Sequence, residues 1–195
     1  ALFYRIKMIK NFFKEHQEVQ EKTLEILEKK IHLASEIISN SLKNNGLIMW
    51  CGNGGSASDS MHFAAELIGR FNKNRKSLRS ISLAGDNAAL TCISNDFGYE
   101  NVFSRQIEGL GHSGDVLIAI STSGNSINII NAINTAISKN IKVIILTGKV
   151  GGKMKDLGNI RICIPSSNTQ RIQEGHLLVE HILCESLEAS LFKGD

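Results

Sequence analysis

Apolar residues recur along this chain with two different spacings, and the change between them falls near residue 44. Up to that point the spacing is helical. Leu24, Leu27, Ile31, Ala34, Ile37, Ile38 and Leu42 form one stripe, and Phe3, Ile6, Ile9, Phe12 and Phe13 form another. The offset between the stripes predicts two helices, broken around Lys14–Glu18. Beyond residue 44, short apolar runs alternate with helical stretches. Strands are expected at 47–51, 80–84, 115–120, 142–147 and 160–164, and helices at 56–69, 87–94, 100–109, 126–139 and 169–191. That alternation predicts an α/β fold: a doubly wound, five-stranded parallel sheet with helices on both faces. Residues 1–195 read as one domain. The stretch 1–44 is a helical arm that covers one face of the sheet and packs on a neighbouring subunit, and 45–195 is the core. Gly46, Gly114 and Gly148 mark chain reversals, and the only proline, Pro165, closes the fifth strand.

Composition narrows the class. A chain of 195 residues with 42% hydrophobic and 21% charged residues is an ordinary globule, long enough to bury roughly 70% of its unfolded surface. A formal charge of +3 is too balanced to argue for a nucleic-acid surface. No apolar run approaches the ~20 residues of a membrane helix. Arg5, Lys7 and Lys10 interrupt the first dozen residues, so no signal-peptide core is expected there. Cys51, Cys92, Cys163 and Cys184 are scattered without a CxxC pair, which fits a reduced, cytoplasmic protein.

The candidate chemistry sits in two loops. Cys51-Gly-Asn-Gly-Gly-Ser56 and Ser121-Thr-Ser-Gly-Asn-Ser126 each follow an expected strand and open an expected helix. In a parallel sheet, that places both at the carboxyl ends of strands, where such sheets bind ligands. Glycine lets backbone approach an anion, hydroxyls donate to it, and the following helix offers free N–H groups at its positive end. Two loops of this kind point to a phosphorylated ligand. Gly52-x-Gly54-x-x-Ala57, with Asp86 as a ribose-binding acid, also satisfies a loose dinucleotide fingerprint. The polar Asn53 and Ser56 and the second, serine-rich loop argue against it. Gly148-Lys149-Val-Gly-Gly-Lys153 lacks Walker A spacing and is followed by Met154; its lysines read as a solvated turn. His62 and Glu66 are four residues apart, so they share a helix face.

Five motifs, Cys51-Gly-Asn-Gly-Gly-Ser56, Asn95-Asp-Phe-Gly98, Ser121-Thr-Ser-Gly-Asn-Ser126, Leu146-Thr-Gly-Lys149 and Arg171-Ile-Gln-Glu174, resemble those of the sugar isomerase (SIS) fold. They run in the family's order over about residues 20–190 and are most similar to its phosphoheptose isomerases. The resemblance implies a flavodoxin-like strand order and an aldose–ketose isomerase that converts sedoheptulose 7-phosphate to D-glycero-D-manno-heptose 7-phosphate. It implies zinc held by His62, Glu66, Gln173 and His181, with Glu66 and His181 as the catalytic acid/bases. Gln173 and His181 lie eight residues apart, about 12 Å along a helix, so both would have to reach inward. His176 competes for the role but reads as a structural histidine. The hydroxyls of Ser56, Ser121, Thr122, Ser123 and Ser126 are expected at phosphate or sugar oxygens, with Asn53, Gly54 and Gly55 on the sugar. The resemblance puts Glu66, Asn95, Asp96 and Gln173 on substrate as well. Taken locally, Asn95 and Asp96 sit in a loop before an apparent helix and carry turn and cap chemistry. Ser126 or Asn125 could equally be an N-cap. Arg171 defaults to a structural salt bridge. Some phosphoheptose isomerases carry an acid immediately before Arg-Ile-Gln-Glu, where this chain has Gln170.

Two rival classes share parts of this signature. A related bacterial protein that associates with the replication initiator has both loops and similar His/Glu motifs, and acts as a tetrameric scaffold. A sugar-phosphate-sensing regulatory domain needs the loops but not the His/Glu/Gln/His set. The expectation is a cytoplasmic, zinc-assisted homotetrameric isomerase with sites completed between subunits, and without nucleic-acid or membrane partners.

Overall fold

The computed structural model describes the backbone of residues 2–192 and the side chains of residues 6–192, so Phe3 of the first stripe lies outside the described side chains. The strands are β1 (Ile48–Cys51), β2 (Ser80–Ser82), β3 (Val116–Ser121), β4 (Lys142–Gly148) and β5 (Ile160–Ile164). The helices are α1 (Leu2–Lys43), α2 (Gly55–Ile68), α3 (Asn87–Phe97), α4 (Ser104–Leu110), α5 (Ile127–Ser138) and α6 (Thr169–Leu191). The strands form one parallel sheet in the order β2-β1-β3-β4-β5, as expected of a flavodoxin-like arrangement.

Alternation along the strands separates two cores. Ile48, Trp50, Val116, Ile118, Ile120, Ile144 and Leu146 point to the side covered by α1, α2 and α6. Met49, Cys51, Leu117, Ala119, Val143 and Ile145 point to the side covered by α4 and α5. All six residues of β3 are buried, as befits the central strand. The indole of Trp50 is 1% exposed, and its N–H donates to Ser80 Oγ at 2.9 Å, so its one polar atom is satisfied where β1 meets the edge strand.

The break expected at Lys14–Glu18 does not exist: α1 runs uninterrupted for 42 residues. The stretch contains no glycine or proline, and Lys, Glu and Gln are good helix formers. The shift of apolar stripe records a change of surroundings rather than of conformation. Val19, Thr23, Leu27, Ile31, Ala34 and Ile38 are buried against the sheet and α6, whereas Ile6, Ile9, Phe12 and Phe13 are exposed. Leu24, placed in the buried stripe, is 65% exposed. The buried position beside it is Thr23, whose hydroxyl turns back onto the Val19 carbonyl at 2.8 Å. Near its N-terminal end α1 is tied to α6 by polar contacts. His16 Nδ1 and Glu174 Oε2 lie 2.6 Å apart, and Arg171 donates to the Phe12 carbonyl at 2.8 Å.

Two further boundaries differ. The helix expected at 100–109 is a 3-10 turn, Tyr99–Asn101, followed by α4. Asn95 and Asp96 lie in the last turns of α3 rather than in a loop. Asp86 caps α3, accepting from the Ala88 and Ala89 amides, and the helix then continues to Gly98, whose φ of +85° ends it.

Candidate active site

The strand order reverses direction between β1 and β3, and the two glycine- and serine-rich loops leave the carboxyl ends of those two strands. They therefore flank the crevice in which open α/β sheets take their ligands. Backbone geometry explains the glycines of the first loop. A Cβ on Gly52 would stand 2.4 Å from the Ser56 carbonyl oxygen, and Gly54 has φ +56°. A Cβ on Gly55 would meet Gln173 Nε2 at 2.7 Å. Glycine at 55 thus lets a side chain of α6 lie directly on the loop. No side chain caps α2, so the positive end of that helix faces the crevice.

In the second loop, Ser126 occupies the N-cap position of α5 but does not cap it. Its hydroxyl turns instead to Ser121 Oγ at 3.2 Å, and Ser121 Oγ also accepts from the Gly124 amide. The two hydroxyls thus stand together at the head of α5, where Asn128 Oδ1 takes the Ile129 amide at 3.0 Å. Ser123 Oγ accepts from the Asn125 amide, and Asn125 Oδ1 accepts from Lys153 N, tying the loop to the turn after β4. Gly124 packs so closely on that turn that a Cβ would stand 2.1 Å from the Gly151 carbonyl oxygen. Thr122 and Ser123 line a cavity of about 370 Å³ with Lys149, Ser166 and Thr169.

The sequence reading missed the residue that joins the loops. Asn128, in the first turn of α5, is 2% exposed and exchanges two 2.9 Å hydrogen bonds with Asn53. Tyr99 donates its hydroxyl to Asn53 Oδ1 at 2.9 Å. The available signal was an asparagine in the otherwise apolar run Ile127-Asn-Ile-Ile130.

On α2, His62 Nε2 and Glu66 Oε1 stand 3.1 Å apart. His181 faces them from α6, its ring edge-on to His62 at 5.5 Å between centroids and packed on Phe63 and Phe71 at 5.0 and 5.8 Å. Among the described residues, no three His, Cys, Asp or Glu side chains stand close enough together to hold a metal ion. The donor chemistry of His62, Glu66, Gln173 and His181, two imidazoles with a carboxylate and an amide, does fit zinc. Asn95 and Asp96 are exposed and bond each other at 2.7 Å, and among the described residues neither bonds a loop residue.

The surroundings of the site are electrostatically unusual. Glu180 is fully buried, and neither of its oxygens has a hydrogen-bond partner among the described residues. Burial pushes its carboxyl well above the usual range, and the nearby charge of Asp59 adds to that. Asp59 is itself raised by burial, with His62 opposing. His176 is a structural histidine. Burial pushes its imidazole down to about 4, against the opposing effect of a 3.1 Å contact with the Thr147 carbonyl. Burial also raises the Cys51 and Cys184 thiols, so neither suits a nucleophile. Arg171 is buried and pairs with Glu174 at 2.6 Å, as its salt-bridge reading expects.

Fold and site together define a SIS-type sugar-phosphate protein, and the SIS domain family model matches residues 11–148. A phosphoheptose isomerase of Nitratiruptor is 53% identical over 176 residues, covering 90% of this chain and 94% of its own. One from Helicobacter pylori is 50% identical over 181 residues, covering 93% and 94%. The structure of the Neisseria gonorrhoeae phosphoheptose isomerase superposes with a TM-score of 0.89 at 39% identity, covering 94% of this chain and 98% of its own. The chain belongs to the SIS domain family, within its phosphoheptose isomerases.

Proposed function

We propose that this protein converts sedoheptulose 7-phosphate to D-glycero-D-manno-heptose 7-phosphate, supplying the heptose phosphate from which activated heptoses are made. The observation that carries the reading is the juxtaposition of a two-loop anion crevice with a His/Glu pair and a facing histidine, in a chain about half identical to phosphoheptose isomerases. Isomerisation removes a proton from C1 of the ketose, passes through an enediol-like state and returns a proton to C2. The hydroxyls of Ser56, Ser121, Thr122, Ser123 and Ser126 bind phosphate and sugar oxygens, at the positive ends of α2 and α5. Asn53, Gly54 and Gly55 orient the chain of the sugar. The Asn53 amide is already engaged by Asn128 and Tyr99, so its part is to fix the loop as well as to touch the ligand. Asn95 and Asp96 bind sugar hydroxyls.

Glu66 and His181 exchange the protons, one at carbon and the other at the substrate oxygens. Glu66 is within hydrogen-bonding reach of His62, which holds its carboxylate in place. His62, Glu66, Gln173 and His181 would hold a zinc ion, which when bound supplies Lewis-acid stabilisation of the developing oxyanion. The protein works in the cytoplasm as a homotetramer with sites completed between subunits. Support for assembly comes from exposed Ile6, Ile9, Phe12 and Phe13 on α1 and Leu177, Leu178 and Ile182 on α6. The test is turnover of sedoheptulose 7-phosphate, with the product identified by NMR, before and after chelation and zinc replacement. Activity that falls with chelator, returns with zinc and vanishes in His181→Ala supports the whole reading. Turnover indifferent to chelation keeps the isomerase and removes the metal. No turnover in zinc-replete protein overturns the assignment.

A further inference from the structure

The segment 69–79 joins α2 to β2 and has no helix or strand of its own. It is nevertheless held by one buried carboxylate. Glu188 of α6 accepts from the consecutive amides of Phe71, Asn72 and Lys73 at 3.1, 2.9 and 2.9 Å, and from Arg75 Nε at 2.8 Å. The Glu188 carboxyl is accordingly held below its usual range: burial pushes it up, but the three amides and the guanidinium outweigh that. The Arg75 side chain is 0% exposed, and its other nitrogens reach the last turn of α2. They donate to the Leu67 carbonyl at 2.9 Å and to the carbonyl of Glu66 itself at 2.8 Å. One ion pair thus clamps the carboxyl end of α2 to α6 and closes the segment over both.

What lies between the clamped elements is the site. Glu66 sits on the turn of α2 whose carbonyls Arg75 holds. His181 lies seven residues before Glu188, on the same face of α6. Phe71, whose amide Glu188 binds, packs its ring on His181 at 5.8 Å. With Phe63 at 5.0 Å and His62 at 5.5 Å, the His181 imidazole has aromatic neighbours from α2 as well as from the 69–79 segment. A buried ion pair is a weak device for stability alone, because desolvation offsets most of its attraction. A guanidinium with donors fixed in a plane is a strong device for setting geometry.

We propose that Arg75 and Glu188 are positioning residues for the isomerase. They fix the distance between the helix bearing Glu66 and the helix bearing His181, and they seat Phe71 against the His181 ring. The proposal rests on the reading of Glu66 and His181 given above. Arg75→Lys keeps the charge and loses the planar fork, Glu188→Gln keeps the shape and loses the charge, and Phe71→Leu removes the ring while sparing the clamp.

The experiment uses full-length protein with labelled histidine, metal-free and zinc-loaded, with folding checked by circular dichroism. The expected result is that all three substitutions move the His181 side-chain resonances of the metal-free protein. In Arg75→Lys, kcat falls about 10- to 100-fold, the size of a misplacement near 1 Å, while KM changes little. Folded Arg75→Lys and Glu188→Gln proteins with wild-type His181 resonances and kcat would overturn the proposal. If Arg75→Lys does not fold, Glu188→Gln decides, and unmoved His181 resonances with wild-type kcat there overturn it equally. His181→Ala runs alongside: undiminished turnover would sink the role given to His181, while the resonances of the other variants would still report whether Arg75 and Glu188 position its ring.

Discussion

Asn53 and Asn128 face each other across the crevice and exchange two amide hydrogen bonds, each 2.9 Å long. One belongs to the loop after β1 and the other to the first turn after the loop of β3. The pair therefore couples the two halves of the anion site directly, with Tyr99 adding a third bond to Asn53. Asn128→Leu removes one member and leaves the Asn53 Nδ2 donor without its acceptor in a part-buried place, while Oδ1 keeps Tyr99. The expected loss is about 1–3 kcal/mol in urea unfolding. KM for the sugar phosphate should rise with it, because the loops are no longer registered to each other. A variant with unchanged KM would show that each loop holds its shape alone.

Glu66→Gln retains the shape and the contact with His62 but cannot take up a proton. Its kcat should fall about 10²- to 10⁴-fold, the usual contribution of a general acid or base, while KM moves much less. Single-turnover measurement of proton exchange at C1 would locate the loss at the carbon-bound proton or at the oxygens.

The buried imidazole of His176 makes stability depend on pH. In the unfolded chain it takes up a proton near the ordinary imidazole value of 6.5, whereas in the folded protein it resists until about 4. Between those values the unfolded state binds more protons, so stability falls as pH drops through that window. Above it the contribution is fully present. The slope from one such group approaches about 1.4 kcal/mol per pH unit. Urea midpoints for the wild type and His176→Gln, taken from pH 7 to 4, should diverge in slope; parallel curves would refute the assignment.

Two glycines with positive φ should respond differently to alanine. Nothing lies within 4 Å of a Cβ built on Gly54, so Gly54→Ala meets only backbone strain, of about 1–3 kcal/mol. At Gly124 the φ is +65° and a Cβ would also collide with the Gly151 carbonyl, so Gly124→Ala should be the more damaging of the two. Thermal melts of the two variants side by side rank them, and the reverse order would mean that the turn at Gly151 yields freely.

The elements that are apolar on a regular period could be read from the sequence because burial imposes that period. The strands of the sheet and the long helices α2, α5 and α6 fall within a few residues of their expected ends. Loops after β1 and β3 were recognisable because glycine and serine accumulate there for reasons of backbone and anion chemistry. What escaped were relationships rather than elements. Nothing in the spacing of Asn53 and Asn128 announces a reciprocal bond 75 residues apart in the chain. The Glu188 carboxylate takes its partners from residues more than a hundred positions earlier, through backbone amides that carry no residue signature. The continuity of α1 was missed for a different reason. A stripe reports which face is buried, and along a helix that outruns its support the buried face changes without a break.

That last feature separates two properties within a single element. At 42 residues, α1 is about 63 Å long, roughly twice the breadth of a small domain. Its C-terminal half is stitched into the hydrophobic interior from Val19 onward, while the turns bearing Ile6, Ile9, Phe12 and Phe13 add nothing to that interior. Those first turns divide in two: trimming as far as Lys10 leaves the melting behaviour nearly intact, whereas cutting through Phe13 strands the buried Arg171 guanidinium that donates to the Phe12 carbonyl.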